Sequence, residues 1–489
     1  MLVPLGGLVG SGRVKMGMIR WPLGDAAPLW RVLSPWLVWR GDPARNSGLL
    51  PLSTILRLDD LGVPPGGGVL VSTEEGCRVD VIVERPSALD VHKATVTACV
   101  RVPDEHGVRA PQLAEFQTTV RGLLALRDWL VAHRVSQVVM EATGVYWKPV
   151  WHILEDDFEL LLVNARHVKQ VPGRKTDMSD AQWLCQLAEA GLLKASFVPP
   201  KPVRALRALT RYRTTQVAER QREANRLHKA LEDTNIKLDC VASDILGVSG
   251  RLMLDALVAG TTDPDVLADL ARGRLRTKLP ALKDALEGRF DRLHALLIGA
   301  ILAHLDFLDE QIDSLSDAIE EQLVPFGMGA VALLVTIPGV AERSAQNILA
   351  EIGTDMSVFP TDKHLASWAG QCPGNHQSAG KQRSGRTRNG SKWLNEALKQ
   401  TALAATRTKN TYLQALYQRL RPRIGHGRAI GAVKHSILTT IWHMLSTGET
   451  YRDLGGDYFA RRDPQRVTRR LVAQLERLGH TVTLQEAAT

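Results

Sequence analysis

The sequence contains few cysteines, and none of them is arranged as cysteines usually are when they bind zinc. The five cysteines of this 489-residue chain lie far apart, form no CxxC pair and are odd in number. This pattern argues against a disulfide framework and against a cysteine zinc site. A reducing cytoplasm is the compartment that it fits best.

Long apolar runs are missing as well. No run approaches the roughly 18 residues that a membrane span requires, and the composition, 44% hydrophobic and 23% charged, is typical of a soluble globular protein. We therefore expect no membrane partner. The N-terminus lacks an early basic segment followed by a sustained apolar core, so no signal peptide is expected either. A GxxxxGK loop followed by Ser or Thr is also absent, which is consistent with a function that needs no ATP.

The chain carries an excess of positive charge, and much of it lies in one stretch. The formal net charge is +9 and the pI is about 9.4, which suggests an anionic partner. Between Lys381 and Arg428 there are 12 Lys or Arg and one acid, Glu396. Glycines in this stretch would let the backbone approach DNA closely. A solvated basic face without a ligand is the alternative. The expected nucleic-acid contacts are Lys381, Arg383, Arg386, Arg388 and Lys392.

The length allows two or three domains, each with a core of ordinary size. The first segment is rich in Gly, Pro and Trp and has no lasting period, so we expect a poorly ordered extension, translated from a start codon upstream of the natural one. The last segment is a basic tail with one more helix. The predicted segments are residues 1–80, 81–200, 201–329, 330–447 and 448–489.

In residues 81–200 short apolar strands alternate with helical stretches. Adjacent strands come first and an alternation of strand and helix follows, which is typical of a mixed sheet with helices packed on it. We predict an α/β domain. Its predicted strands are SALDV, ATVTACVRV, AEFQTTV, SQVVMEA and FELLLVNA, and its predicted helices are RGLLALRDWLVAHR and YWKPVWHILE.

Residues 201–329 have the character of long helices. One amphipathic, strongly basic stretch runs from Val203 to Glu232, and a second amphipathic stretch runs from about Asp284 to Leu323. A helical hairpin or coiled coil is the simplest interpretation, with a loop-rich segment between its arms.

Four acids in the α/β domain could form one site. Asp90 ends the strand in ALDV, and Glu141 closes the run VVMEATG. Asp177 and Asp180 stand at i and i+3, which would place both on one helix face about 5–6 Å apart at Cβ. Mg²⁺ or Mn²⁺ takes such oxygen ligands, and a pair of ions can clamp both oxygens of a phosphodiester displacement.

The same acids also have ordinary structural explanations. Asp177 could cap the helix, with Asp180 as the acidic residue that the first turn favours. Asp90 and Glu141 could simply end their strands. The residues alone leave both interpretations open.

The region 330–447 begins with IPGV, which indicates a glycine turn between two short helices. In a helix-hairpin-helix such a turn presents backbone N–H groups to phosphate. A packing corner between two helices explains the motif equally well.

Three blocks around the acids, ALDVHKATVTACV, VVMEATGVYW and GRKTDMSDAQWLCQLA, resemble a known family in their order and spacing. This is the family of DEDD-type insertion-sequence transposases, the "IS one-ten" family, which also includes pilin-gene DNA invertases. The resemblance implies an RNase H-like domain whose Asp, Glu, Asp, Asp set is catalytic and binds divalent metal. The set falls here on Asp90, Glu141, Asp177 and Asp180.

The resemblance extends to about residues 330 to 445 and implies a C-terminal transposase domain with a serine nucleophile. In HQSAGKQRSGRTRNG the position of that serine corresponds to Ser378. The family more often has glycine directly after the serine, whereas this chain has Ala379 and then Gly380. Ser384, which Gly385 follows, is therefore a second candidate. A serine hydroxyl needs activation by a base, a metal or nearby cations.

The resemblance implies a DNA transposase or site-specific recombinase of a bacterial mobile element, acting on DNA in the cytoplasm. The serine would attack a phosphodiester and form a phosphoserine link, with metal at the four acids in support. A covalent intermediate conserves the bond energy, so no ATP is needed. The family also implies a homo-oligomer, dimer to tetramer, and in some members a guide RNA, which the basic helices at 203–229 could bind.

Two other functions stay open on the residues alone. One is a metal-dependent nuclease of the Holliday-junction resolvase kind, in which water is the nucleophile. The other is a nucleic-acid-binding protein without catalytic activity.

Overall fold

The computed structural model of the protein describes residues 2–9, 13–20, 82–104, 106–142, 144–168, 179–374 and 376–485. The chain forms two compact units, Met1–Val79 and Asp80–Thr489. In the first unit, strands β1 (Leu2–Val9) and β2 (Arg13–Arg20) pair as an antiparallel hairpin, which the sequence did not predict. The rest of the predicted extension 1–80 lies outside the described residues.

The second unit begins with a five-stranded mixed sheet in the order β5-β4-β3-β6-β7. β3, β4 and β5 are antiparallel neighbours, whereas β3, β6 and β7 are parallel. Each strand overlaps a run that the sequence predicted, so the mixed sheet is confirmed. The strands are β3 (Pro86–Val91), β4 (Thr95–Val100), β5 (Gln112–Gln117), β6 (Gln137–Glu141) and β7 (Glu159–Val163).

Four helices belong to this α/β region: α1 (Val120–Ala132), α2 (Trp147–Leu154), α3 (Ala165–Val168) and α4 (Asp180–Glu189). One face of the sheet packs its alternate apolar residues against α1 and α2, and the other face packs against α4. Leu89 and Met140 lie on the first face, and Ala88 and Val139 on the second, as the two-residue period of a strand requires. The sheet is therefore covered on both sides.

The middle region contains a 3-10 helix, Gly273–Lys278, and six α-helices: α5 (Lys201–Asp233), α6 (Leu238–Val241), α7 (Val248–Val258), α8 (Pro264–Asp269), α9 (Leu279–Leu286) and α10 (Arg292–Leu323). The long helices α5 and α10 pack against each other in opposite directions. Leu206, near the start of α5, shares a core with Leu323 at the end of α10, whereas Leu227 shares another with Ile298. The predicted helical hairpin is thus present.

Two details of the middle region correct the sequence prediction. The second arm begins at Arg292 rather than near Asp284, because the Asp291 side chain accepts the N–H groups of Leu293 and His294 at 2.8 and 3.0 Å. The segment between the arms is not rich in loops, since α6 to α9 form a core of their own with the ends of α5 and α10. These helices are short, so their periodicity was hard to detect.

The C-terminal region packs its helices around the ends of α5 and α10. Of the helices that the structure describes, none alone has the length and apolar composition of a membrane span; α10 and α11, which meet at 110°, reach them only together. The elements of the C-terminal region are α11 (Met328–Val335), α12 (Glu342–Ile352), α13 (Asp362–Trp368), β8 (His376–Ser378), β9 (Lys381–Ser384), α14 (Lys392–Ala405), α15 (Tyr412–Ile424), α16 (His426–Thr447), α17 (Tyr458–Arg462) and α18 (Pro464–Arg477).

The IPGV motif forms the turn between α11 and α12, and Gly339 lies there with φ +87°. A Cβ at this position would stand 2.4 Å from the backbone nitrogen of Ala405 and 2.7 Å from the carbonyl oxygen of Thr401, both on α14. The turn is therefore pressed against α14. Of the two interpretations of IPGV, this contact supports the packing corner.

We expect Gly339→Ala to lower the free energy of unfolding by about 2–4 kcal/mol, because it adds a backbone clash to a left-handed φ. Denaturant unfolding measures the change. Gly448→Ala is the matched control: its φ is +74°, but no atom lies within 4 Å of the added Cβ. The control should lose only about 1 kcal/mol. Equal losses would contradict the packing argument.

Candidate active site

Asp90 and Glu141 end two neighbouring parallel strands, β3 and β6. Leu89 pairs with Met140 in the register of the two strands, so the next residues, Asp90 and Glu141, stand side by side. Both side chains are half-buried. They belong to the same face as Ala88 and Val139, the face that α4 covers. The carboxyl edge of a parallel strand pair is a common place for functional groups.

Helix α4 brings a third acid toward this edge. α4 runs against the direction of β3, because the Cys185 thiol lies 3.5 Å from the carbonyl oxygen of Pro86, and the Ile82 N–H donates to the carbonyl oxygen of Glu189 at 2.9 Å. The end of α4 therefore lies at the start of β3, and its first residue, Asp180, lies toward the edge where Asp90 stands.

Ser179 caps α4, which corrects the expectation for Asp177 and Asp180. The Ser179 hydroxyl accepts the N–H of Gln182, and the Gln182 side chain accepts the N–H of Ser179 in return. Asp180 is thus the first residue of α4, and Ser179 rather than Asp177 is its cap. The spacing Ser-x-x-Gln was the signal that sequence reasoning missed. Asp177 itself lies outside the described residues.

A buried ion pair fixes the other end of α4. Glu189 is 11% exposed, and it accepts the Arg101 Nε–H at 2.7 Å, with Arg109 Nε at 3.5 Å. In the middle of the helix, the contact with the Cys99 thiol and burial raise the pKa of Cys185, so this thiol stays protonated. Because α4 is held at two points, the direction in which its first turn approaches the sheet edge is well determined.

His92 was missed by sequence reasoning, although it stands two residues after Asp90 in ALDVHK. Its Nε2 lies 3.3 Å from Asp90 Oδ2, and the Asp90 side chain is 31% exposed. The histidine can therefore orient one carboxylate oxygen of the site. Asn164 places a further polar side chain directly after β7, the third parallel strand.

The donor chemistry of the site suits a hard divalent cation. Asp90, Glu141 and Asp180 offer carboxylate oxygens, which Mg²⁺ and Mn²⁺ prefer, and Asp177 would add a fourth carboxylate. Within the described ranges, however, no three His, Cys, Asp or Glu side chains stand close enough together to hold a metal ion. The three described acids approach one edge without forming a complete set of ligands.

Ser378 lies at the tip of the hairpin formed by β8 and β9. Ser378 pairs with Lys381, so the loop consists of two residues, Ala379 and Gly380, with φ of +49° and +77°. Positive φ at both positions is the mark of a type I′ turn. The Ser378 side chain is exposed. The hairpin therefore presents this hydroxyl to solvent at a tight, well-defined turn.

Ser384, the second candidate, is also exposed, but its hydroxyl already takes part in a local hydrogen bond. Its hydroxyl oxygen accepts the Arg386 N–H at 3.2 Å and so shapes the chain as it leaves β9. Such a contact is typical of a serine in a turn. Among the described residues, the Ser378 hydroxyl has no comparable hydrogen bond.

Ala379 adopts a backbone conformation that favours glycine, at the position where the family more often has glycine. We expect Ala379→Gly to stabilise the hairpin by about 0.5–1 kcal/mol, because a left-handed φ costs an L-residue more than it costs glycine. Amide hydrogen exchange across the hairpin measures this change. Gly380→Ala should have the opposite effect, and slower exchange in that variant would contradict the assigned turn.

The basic residues around this hairpin are available to a ligand. Lys381, Arg386 and Arg388 are exposed, and among the described residues no acid lies within ion-pair distance of them. Lys392 lies over the Trp393 ring, 4.8 Å from its centroid. The side chain of Arg383 lies outside the described residues.

Two glycines hold the basic loop against the end of α13. A Cβ on Gly370 would stand 2.5 Å from the carbonyl oxygen of Arg388, and a Cβ on Gly390 would stand 2.1 Å from that of Ala369. The Gly374 N–H also donates to the carbonyl oxygen of Arg386 at 3.1 Å. The loop is thus fixed to the helical body, which keeps its arginines in place.

The positive charge of α5 is different, because most of its cations pair with acids of the protein. Arg204 donates to both oxygens of Glu155 at 2.7 Å, and Arg220 pairs with Asp309. Arg213 is buried and donates to the Gln346 side chain. Most of the cations with which the basic helices at 203–229 could bind RNA are therefore already engaged within the protein.

Glu351 connects α5 to the start of α14. Its side chain is 3% exposed and accepts two hydrogen bonds from Arg211, at 2.7 and 2.9 Å, and one from the Ser391 hydroxyl at 2.9 Å. Ser391 also caps α14 by accepting the Leu394 N–H. Burial lowers the pKa of Arg207, which donates to the Glu351 carbonyl oxygen, to about 10, so it stays charged at neutral pH. The basic loop that ends at Ser391 is therefore tied to the long helix.

Comparison with known proteins matches two separate ranges of the chain to transposase families. A family model described as Transposase, for the DEDD domain of IS110 elements, matches residues 88–236. A second model, described as Transposase IS116/IS110/IS902 family, matches residues 331–418. The first range contains the acids and the second contains both serines.

Individual relatives agree with these models. The pilin gene-inverting protein of Moraxella bovis is 30% identical over 309 residues, 59% of this chain and 72% of that protein. The "Probable family 20 transposase" of Pseudomonas aeruginosa is 26% identical over 340 residues, 67% of this chain and 89% of that protein. An uncharacterized 43.6 kDa protein of insertion element IS110 from Streptomyces coelicolor is 27% identical over 306 residues, 57% of this chain and 73% of that protein.

The resemblance that the three acidic blocks suggested is thus confirmed. The chain belongs to the IS110 ("IS one-ten") family of transposases and recombinases, and it is a DNA-rearranging enzyme.

Proposed function

We propose that the protein cuts and rejoins the DNA of a bacterial insertion element, in the cytoplasm, through a serine nucleophile assisted by a divalent-metal carboxylate site. The observation that carries this proposal is the approach of Asp90, Glu141 and Asp180 to one sheet edge. The exposed hydroxyl of Ser378 within a basic, glycine-rich loop supports it.

The covalent bonds are exchanged between the DNA and the serine alone. Ser378 Oγ forms a bond to a backbone phosphorus, and the bond from phosphorus to one deoxyribose oxygen breaks. The serine proton is lost to a base or to solvent, and the departing oxygen is protonated. In the reverse step a deoxyribose hydroxyl attacks the phosphoserine and restores Ser378. Each step exchanges one phosphodiester for another, so no ATP is consumed.

The four acids, Asp90, Glu141, Asp177 and Asp180, would hold Mg²⁺ or Mn²⁺. The bound cation would supply positive charge to the phosphate oxygens during displacement. The strand order β5-β4-β3-β6-β7, with three antiparallel strands and two parallel additions, supports an RNase H-like fold for this domain. His92 would orient Asp90, and the capped α4 would direct Asp180 toward the same edge.

A covalent-trapping experiment tests the proposal. Labelled duplexes from the DNA that flanks the gene are incubated with protein and Mg²⁺, and protein joined to a cut strand is separated under denaturing conditions. Wild type and Ser384→Ala should form the adduct, whereas Ser378→Ala should form none. Cleavage by Ser378→Ala at the normal rate would favour a water nucleophile, and a wild type that binds but never cleaves would favour a non-catalytic DNA-binding protein.

We also propose a homo-oligomer, dimer to tetramer, that forms through α10. The exposed side of α10 carries large apolar residues: Leu293 and Leu296 are both 71% exposed, Leu297 is 52% exposed and Phe307 is 53% exposed. An apolar stripe of this kind on a helical arm is typical of helix pairing between subunits. We expect Leu296→Glu to shift sedimentation toward the monomer. An unchanged sedimentation coefficient would contradict this surface.

A guide RNA, which the family uses in some members, would bind elsewhere than on α5. The α5 arginines that contact Glu155, Glu351 and Asp309 are already paired. The loop from Lys381 to Lys392 is the surface with free cations near the serine. Loss of strand exchange after treatment with ribonuclease, with restoration by transcript from the flanking DNA, would test for the guide.

A further inference from the structure

Helix α18, Pro464–Arg477, lies beyond the residues that the two family models match, and no function has been assigned to it above. It begins at Pro464 after Asp463, whose side chain accepts the Arg466 N–H at 3.1 Å. None of its residues is buried. A helix of 14 residues without a buried face gains little stability from packing, so its charge pattern calls for an explanation.

The arginines of α18 lie on one face. At about 100° per residue, Arg466, Arg469, Arg470 and Arg477 fall within an arc of about 100°. All four are exposed. The two partly covered valines, Val467 and Val472, point away from this arc. The helix therefore carries a basic face that its contacts with the rest of the protein leave uncovered.

No acid of the described residues neutralises this face. Arg466, Arg469, Arg470 and Arg477 have no carboxylate within ion-pair distance, in contrast to the α5 arginines, which are paired with Glu155, Glu351 and Asp309. Arg469 and Arg470 stand three and four residues after Arg466, a spacing at which like charges repel one another, and Arg477 lies two turns further along the same face. A ligand with regularly spaced negative charges would remove that repulsion, and the phosphates of a nucleic-acid backbone have such spacing.

The segment before α18 is anchored to the catalytic region, which limits where the face can be. The Phe459 ring stacks on Tyr412 with centroids 5.6 Å apart, and the Arg419 guanidinium lies over Phe459 at 4.5 Å. The Gly456 N–H donates to the carbonyl oxygen of Asn410 at 3.1 Å. α17 is thus held on α15, and α18 leaves from a fixed point.

The anchor also lies beside further exposed arginines. Arg421 and Arg423 at the end of α15 and Arg428 at the start of α16 are exposed and, among the described residues, unpaired. The basic surface of the C-terminal region therefore does not stop at the serine hairpin. It includes the end of the helix on which α17 is anchored.

We propose that the arginine face of α18 binds the phosphate backbone of duplex DNA and forms a second DNA contact apart from the loop at the serine hairpin. DNA is the partner that the observations favour, because this is a DNA-rearranging enzyme and because arginines at helical spacing suit backbone phosphates without reading sequence. The inference does not depend on the serine or on the metal.

The salt dependence of DNA binding tests this proposal. Each phosphate contact contributes about 0.9 to the slope of log K against log salt. The full-length variant Arg466→Gln/Arg469→Gln/Arg470→Gln should therefore reduce the slope by about 2–3 on a short duplex of arbitrary sequence. Since α18 buries no side chain, the thermal unfolding of this variant should match that of the wild type.

The matched control removes the same charge elsewhere. The side chains of Arg127, Arg222 and Lys283 are 37%, 61% and 46% exposed, and each pairs with a neighbouring acid, so Arg127→Gln/Arg222→Gln/Lys283→Gln should change the slope by less than about 1. An equal reduction in the control would assign the effect to net charge and overturn the proposal. So would an unchanged slope in the α18 variant.

Two further measurements separate the alternatives. The same titration with an RNA duplex tests RNA as the alternative partner. A slope reduction on RNA but none on DNA would overturn the assignment to DNA. Ser378→Ala should retain the wild-type slope on DNA. If the covalent adduct is never found but the slope of log K against log salt is reduced in the α18 variant, the proposed serine chemistry fails and the α18 contact stands.

Discussion

Asp90→Asn and Glu141→Gln are expected to reduce the rate of strand cleavage by a factor of about 10³ or more, which corresponds to about 4 kcal/mol of transition-state stabilisation. Each substitution removes a charge but keeps the shape of the side chain. DNA binding should be retained, because the basic loop and α18 are unchanged. Single-turnover cleavage with Mg²⁺ in excess measures the rate, and a filter-binding titration measures the affinity.

Glu159→Gln is the matched control for these two substitutions. Glu159 is the first residue of β7, so it lies at the amino ends of the parallel strands, opposite the carboxyl ends where Asp90 and Glu141 stand, and it is exposed. Its replacement should leave cleavage within about threefold of wild type, as expected for a surface charge outside the site. If Asp90→Asn and Glu159→Gln cleaved at the same rate, the acids at the carboxyl edge would have no catalytic role.

Glu351→Gln is expected to lower the free energy of unfolding by about 3–5 kcal/mol, the usual effect of removing one partner from a buried ion pair. The substitution leaves Arg207 and Arg211 next to a neutral amide and weakens the bond to Ser391. Denaturant unfolding, followed by tryptophan fluorescence, measures the loss. A change below about 1 kcal/mol would mean that the buried pair is not a stabilising element.

Glu396→Gln is the control for the buried carboxylate. Glu396 lies on α14, its side chain is 47% exposed, and it pairs with Lys399 at 3.6 Å. Exposed pairs of this type contribute about 0.2–1 kcal/mol. A further variant, Ser391→Asp, keeps a good helix cap but places a carboxylate against Glu351, so it should be less stable than Ser391→Thr. Equal stability of these two variants would limit Ser391 to capping.

The sheet and the long helices could be predicted because their signals are local. The runs SALDV and SQVVMEA have the length and apolar content of buried strands, and they became β3 and β6. The parallel pairing of these two strands brings Asp90 and Glu141 together. Their order in the family motif had indicated one site, and the register supplies the physical reason.

The predicted start of α4 was wrong, and the sequence itself contains the reason. Two aspartates three residues apart suggested a first turn, but Ser179 with Gln182 forms a reciprocal cap and begins the helix later. The consequence concerns the site. Because α4 begins at Asp180, helical spacing no longer assigns a position to Asp177, which lies outside the described residues.

The charge of α5 could not be interpreted from the sequence because its partners are distant. Arg204 contacts Glu155, 49 residues away, and Arg211 contacts Glu351, 140 residues away. The sequence shows a basic helix but not the distant acids with which most of its arginines pair. By contrast, the arginines of α18 remain uncovered when the chain folds, and this difference is what assigns the two helices different roles.

The most direct test of the proposed mechanism is to identify the residue that becomes attached to DNA. Wild-type protein is incubated with Mg²⁺ and duplex from the flanking DNA, the adduct is digested with nuclease and protease, and the nucleotide-bearing peptide is sequenced by mass spectrometry. A nucleotide on Ser378 is the result that we predict. A nucleotide on Ser384 or on any other residue, or cleaved DNA without an attached peptide, would contradict the proposed mechanism.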